Sequence, residues 1–116
     1  MKYQKELKDN ILFIRLEGDL IAGPDTQKMI ADADAEGDGK VTLCAIDLSN
    51  ARFMDSSGMG VLVSLLTKFR NRGGELVLIK PSEHIRKLLI VTKLNAIFTI
   101  AENDSFAAQF LKESIY

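Results

Sequence analysis

The sequence predicts one α/β domain built on an open sheet that is parallel in its middle. Two observations carry this. Segments of strand-like apolar alternation take turns with segments of helical period along the chain. One run, Val41 to Leu48, is almost continuously apolar, which suits a central strand covered on both faces. The length of 116 residues suits a single domain with one core, residues 1–116. The composition, 47% hydrophobic and 27% charged, is that of a globular protein.

The elements follow in order. Lys2 to Leu7 is a weak strand signal, and Lys8-Asp9-Asn10 turns it into a hairpin with Ile11 to Glu17. In that second segment Leu12, Ile14 and Leu16 alternate with Phe13, Arg15 and Glu17, the period of a strand. Gly18 to Gly23 reads as a loop. Pro24 fits the first turn of a helix, with Met29, Ile30 and Ala33 on its buried stripe. Ala35-Glu36-Gly37-Asp38-Gly39 ends it, and Val41 to Leu48 follows as the central strand.

The next helix runs from about Ser57 to Asn71. Leu62, Leu65, Leu66 and Phe69 recur at i, i+3, i+4 and i+7 and define its core face. Gly73-Gly74 stops it. Glu75 to Ile79 is a short strand. Ser82 then caps a helix whose buried face holds Ile85, Leu88 and Leu89. Ala96 to Ile100 is expected as a last short strand. Asn103 or Asp104 caps a final helix that carries Phe106 and Phe110 one turn apart. The order is β-β-α-β-α-β-α-β-α, with no internal repeat, low-complexity segment or linker.

Several function classes find little support. The formal net charge is −1, so there is no global electrostatic case for binding nucleic acid or an anionic membrane. No stretch of about 18 apolar residues is present, and the N-terminal MKYQKELKDN lacks a signal-peptide core. A cytoplasmic protein is the expectation. The single cysteine, Cys44, lies in the apolar central run and reads as a small buried hydrophobe. Asp32, Asp34, Glu36, Gly37 and Asp38 imitate the start of a calcium loop. Leu43 stands where that loop needs its bidentate Glu, so no metal site is expected.

Chemistry concentrates at Phe53-Met54-Asp55-Ser56-Ser57-Gly58-Met59-Gly60, where the central strand hands over to a helix. Open α/β sheets place their sites at that edge. A helix start also offers free N–H groups and a positive dipole end, which suit a phosphate. Capping is the competing reading. Ser and Asp are favoured caps, yet a cap needs only one of the three polar side chains. A serine hydrolase fits poorly: Met54 replaces the glycine of the nucleophile elbow, and the only histidine, His84, begins another helix and reads as solvated surface. No phosphate-cradling G-x-x-x-x-G-K-[ST] is present. No catalytic residue or cofactor is expected.

With Ile46-Asp47-Leu48 before it, this motif resembles that of STAS domains, the fold shared by bacterial anti-sigma factor antagonists and the tails of sulphate transporters. The Gly73-Gly74 turn, the strand Leu76 to Ile79 and the segment Ile85 to Phe98 match in order and spacing, so the likeness spans the chain. It implies a mixed sheet of four or five strands flanked by about four helices. It also implies an antagonist that binds an anti-sigma factor serine kinase and so releases a sigma factor. That kinase switches the antagonist off by phosphorylating the first serine of the motif, and a PP2C-type serine phosphatase restores it. Carried over, the phosphoacceptor is Ser56, in an acceptor loop shaped by Asp55, Ser57 and Gly58.

Two departures stand out. The family's loop after its second strand commonly reads Gly, acidic, apolar, Asp. Here Gly18, Asp19 and Leu20 fit, but Ile21 stands in the Asp position, on a loop that touches the kinase in the family. Met59 replaces a usual Leu or Ile at similar volume.

The helix after the motif adds a reading of its own. Gly60, Ser64, Thr67 and Asn71 fall opposite the leucine face, where an ordinary exposed helix would carry Lys and Glu. With Val61 and Val63 flanking, the stripe is small and uncharged. Docking of the partner on it is one reading; coverage by another part of the domain is the other. The expected partner-binding set is Asp19, Leu20, Ile21, Met59, Gly60, Val63, Ser64 and Thr67. The alternative function is a constitutive STAS adaptor subunit of a transporter or lipid-trafficking assembly.

Overall fold

Each strand pairs with the next one along the chain. The computed structural model describes residues 1–114, and residues 115 and 116 lie outside the description. The elements are β1 (Lys2–Lys8), β2 (Ile11–Glu17), α1 (Pro24–Ala35), β3 (Leu43–Asn50), α2 (Ser56–Asn71), β4 (Glu75–Ile79), α3 (Glu83–Val91), β5 (Thr99–Ala101) and α4 (Asp104–Glu113). The sheet order is β1-β2-β3-β4-β5, with β1 antiparallel to β2 and every other pair parallel. The expected mixed sheet with four flanking helices is therefore present.

The hairpin turns on Asp9 and Asn10, both left-handed at φ 54 and 64. Residues of this type tolerate that geometry, and a two-residue turn of this hand matches the twist of its strands. The remaining strands are parallel because a helix returns the chain to the same edge each time.

The alternation of β2, β3 and β4 sorts the core into two layers. Leu12, Ile14, Cys44, Ile46, Leu48, Leu76 and Leu78 join the cluster that also holds Met29 of α1, the Leu62–Phe69 face of α2 and Ile85 and Leu89 of α3. Ile11, Phe13, Leu43, Ala45, Val77 and Ile79 form the second layer, closed by Ala107 and Leu111 of α4. This is why the middle strands read as continuous apolar runs. Burial pushes the Cys44 thiol well above its usual range, in line with an inert core position.

Three elements differ from the sequence expectation. The central strand is displaced to Leu43–Asn50, and α2 starts at Ser56, one residue early. The segment expected to be strand from Ala96 is instead a short 3-10 turn, Leu94–Ala96, and β5 begins only at Thr99. Lys93 turns left-handed at φ 63 after α3, and the chain needs those extra residues to re-enter the sheet. In α4 the buried face is Ala107 and Leu111, while Phe106 is 61% exposed. Ala107 and Leu111 stand at i and i+4 on the face toward the sheet, and the Phe106 ring falls outside that stripe.

The acidic run that imitates a calcium loop is occupied otherwise. Asp32 accepts a hydrogen bond from the Tyr3 hydroxyl. Burial together with that carboxylate pushes the Tyr3 phenol up to about 12. Asp34 pairs with Arg72, whose guanidinium also reaches the Val41 carbonyl at 3.3 Å. These contacts tie α1 to β1 and to the end of α2. Among the described residues no helix is long and apolar enough to cross a membrane.

Candidate functional site

The carboxyl ends of β2 and β3 continue side by side beyond the regular sheet. The Gly18 N–H donates to the Asn50 carbonyl at 3.0 Å, and the Leu20 N–H donates to the Phe53 carbonyl at 2.9 Å. Leu20 and Met54 form an isolated parallel bridge, and both are buried. The β2–α1 loop is thereby laid against the start of α2. The structure brings Asp19, Leu20 and Ile21 to the Asp55-Ser56-Ser57-Gly58 motif, although about 35 residues separate them in sequence.

That approach fixes Gly58. The residue is buried, and a Cβ added to it would lie 2.0 Å from the Leu20 carbonyl oxygen. A side chain cannot share that space with backbone, so glycine is demanded by the loop passing overhead.

The capping question has a definite answer. Asp55 is the N-cap of α2, with extended backbone, and its Oδ1 accepts from the Gly58 N–H at 2.7 Å. Ser56 and Ser57 occupy the first turn and are both exposed. Neither serine is the cap. Ser56 sits at the positive end of a helix of 16 residues.

The remaining expected contact residues fall into two groups. Gly60, Thr67 and Asn71 are exposed and Ser64 is half-buried, so the small stripe on α2 opens to solvent rather than being covered by the domain. The Thr67 hydroxyl donates back to the Val63 carbonyl at 2.9 Å. Ile21 is 47% exposed, and Asp19 is half-buried. Met59 and Val63 are half-buried and pack against the core. Leu20 corrects the expectation. It is wholly buried because the bridge to Met54 turns it inward, so it holds the loop in place and offers no surface to a partner.

Reading the sequence alone missed the role of α3 here. His84 is exposed, as expected, but its ring stacks on Phe53 with centroids 5.0 Å apart and planes 28° from parallel. Ser82 has two duties. Its Oγ accepts from the Ile85 N–H at 3.2 Å as the cap of α3 and donates to the Arg52 carbonyl at 3.1 Å. The first turn of α3 therefore braces the loop that leads into Ser56. An apolar ring placed three residues before the serine was the available signal, but its partner lies 31 residues away. Among the described residues no group of three His, Cys, Asp or Glu side chains is placed to hold a metal.

Comparison with known proteins agrees with this architecture. The profile of the STAS domain family matches residues 2–107. The anti-sigma F factor antagonist of Paenibacillus polymyxa is 25% identical over 104 residues, which cover 90% of this chain and 89% of that one. The anti-sigma-B factor antagonist of Listeria monocytogenes is 40% identical over 55 residues, 47% of this chain and 48% of that one. The anti-sigma factor antagonist SpoIIAA of Bacillus shares the fold in two solved states. Its unphosphorylated form matches with TM-score 0.80 at 24% identity, covering 97% of both chains. Its phosphorylated form matches with TM-score 0.74 at 24% identity, covering 94% of this chain and 99% of that one.

Proposed function

The chain belongs to the STAS domain family, and on that premise we propose that it is an anti-sigma factor antagonist switched by phosphorylation of Ser56. In its unmodified state it binds an anti-sigma factor serine kinase and so frees a sigma factor. The kinase phosphorylates Ser56 and the complex separates. A PP2C-type serine phosphatase resets the switch.

The observation that carries this reading is the division of labour at the start of α2. Asp55 caps the helix, which leaves Ser56 exposed and without a capping duty. A purely structural turn needs one polar side chain there. The acceptor is continuous with the exposed stripe of Gly60, Ser64 and Thr67, on which the partner docks.

Charge supplies the switch. A phosphate adds roughly −1.5 to −2 charges beside Asp55. Within the free domain the dipole of α2 offsets part of that, so the fold survives. A partner surface without a facing cation has no such offset, and burying the dianion there costs several kcal/mol, at about 1.4 kcal/mol per tenfold of affinity. The shared fold of the two SpoIIAA states is in keeping with a switch that changes binding rather than architecture.

A constitutive adaptor is the second reading, favoured by Ile21 in a position where an Asp is usual. Phosphosite mass spectrometry separates the two, on protein isolated from its own cells across growth and stress with a phosphatase-treated control. Phosphate on Ser56 is the expected result. A Ser56 that stays unmodified in every condition overturns the switch and leaves the adaptor.

A further inference from the structure

Ile21 and Phe53 are the exposed large apolar side chains on the two loops that meet at Ser56. They differ in support. Phe53 is 41% exposed, and its ring lies on His84. The backbone beside it is held by Ser82 through the Arg52 carbonyl. An exposed aromatic ring with little freedom left is the form that binding anchors take, since little entropy remains to be lost on docking.

We infer that Phe53 is a specificity-determining contact for the kinase that reads Ser56, and that His84 is a positioning residue acting through it. The inference rests on the proposed switch at Ser56. The partner that accepts the serine covers the loop before it and offers Phe53 an apolar pocket. His84 takes no part in phosphoryl transfer. Its imidazole face supplies the second wall against which the ring is held, and loss of that wall lets Phe53 leave its docked orientation.

The test uses the full chain and the purified serine-kinase anti-sigma factors of its own organism. Binding is read by calorimetry and Ser56 phosphorylation by mass spectrometry, for wild type, Phe53→Ala, Phe53→Leu, His84→Ala and His84→Tyr. Thermal melts and hydrogen exchange of residues 51–55 are recorded on each. Phe53→Ala is expected to weaken kinase binding tenfold or more, with Phe53→Leu between it and wild type. His84→Ala is expected to weaken binding about two- to tenfold, the range of an aromatic pair, and to speed exchange in the loop. His84→Tyr restores a ring to stack on and is expected to return binding to within about twofold of wild type, an outcome that loss of a merely structural residue would not give. A wild type that binds and is phosphorylated on Ser56 while Phe53→Ala binds equally well overturns this inference and leaves the switch standing. A wild type that no kinase phosphorylates overturns both.

Discussion

Gly58 and Gly60 are two residues apart on one helix and answer to different constraints. At Gly58 the Leu20 carbonyl oxygen occupies the space of a side chain. At Gly60 nothing lies within 4 Å of an added Cβ, and the residue is exposed. Gly58→Ala is therefore expected to destabilise the domain by about 1–3 kcal/mol, the cost of forcing atoms into packed backbone. Gly60→Ala is expected to stabilise it by about 0.8–1 kcal/mol, the gain in helix propensity. Thermal unfolding of the two variants checks this: shifts of the same sign would contradict the close crossing of the two loops. Sequence alone placed both glycines in one motif and could not separate them, because the clash at Gly58 comes from a loop about 35 residues earlier.

At the scale of the element, α2 shows how far periodicity reaches. Leu62, Leu65, Leu66 and Phe69 are all buried, as their spacing requires. The helix stops at a turn in which the Gly74 N–H reaches the Phe69 carbonyl and the Gly73 N–H reaches the Arg70 carbonyl, each at 3.0 Å. The opposite stripe stays open to solvent. If it docks the partner, Gly60→Arg or Ser64→Lys abolishes binding of the kinase with no drop in the thermal midpoint, Gly60→Arg raising it through helix propensity. A large drop in the midpoint with binding retained would assign the stripe to packing instead. Short elements were less legible. β5 is three residues long, too short for alternation to declare itself, and its start depends on where the 3-10 turn after α3 releases the chain.

At the scale of the molecule, one cluster joins β2, β3 and α4. The Arg15 guanidinium donates to the Asp47 carboxylate at 3.0 Å and grips Asp104 of α4 with two contacts, at 2.9 and 3.2 Å. Burial by itself would raise the Asp47 carboxyl. Hydrogen bonds from the Ser49 hydroxyl and N–H, together with Arg15, outweigh it and hold the carboxyl below its usual range. The sign follows by linkage. A carboxyl with a folded value below its unfolded one adds stability above the unfolded value, about 4, and that stability is lost as pH falls through the folded value. Asp47→Asn is expected to cost about 1 kcal/mol at neutral pH, at the low end because the site is partly solvated. Its difference from wild type is expected to shrink in acid, as pH falls from the unfolded value through the lowered folded one. Denaturant titrations at neutral and acid pH measure it, and a gap that persists undiminished in acid would remove the charge from the account.

The sequence by itself determined the α/β class, the element order, the hairpin turn and the core face of α2, because each follows from side chains a few residues apart along the chain. It also located the Asp55-Ser56-Ser57-Gly58 motif at a strand-to-helix junction. Only the tertiary structure decided which polar side chain is the cap, why Gly58 must be glycine, that Leu20 turns inward, and that His84 of α3 supports Phe53. Each of these depends on two segments meeting at the carboxyl edge of the sheet, and local pattern carries no information about a surface that forms only when distant strands become neighbours.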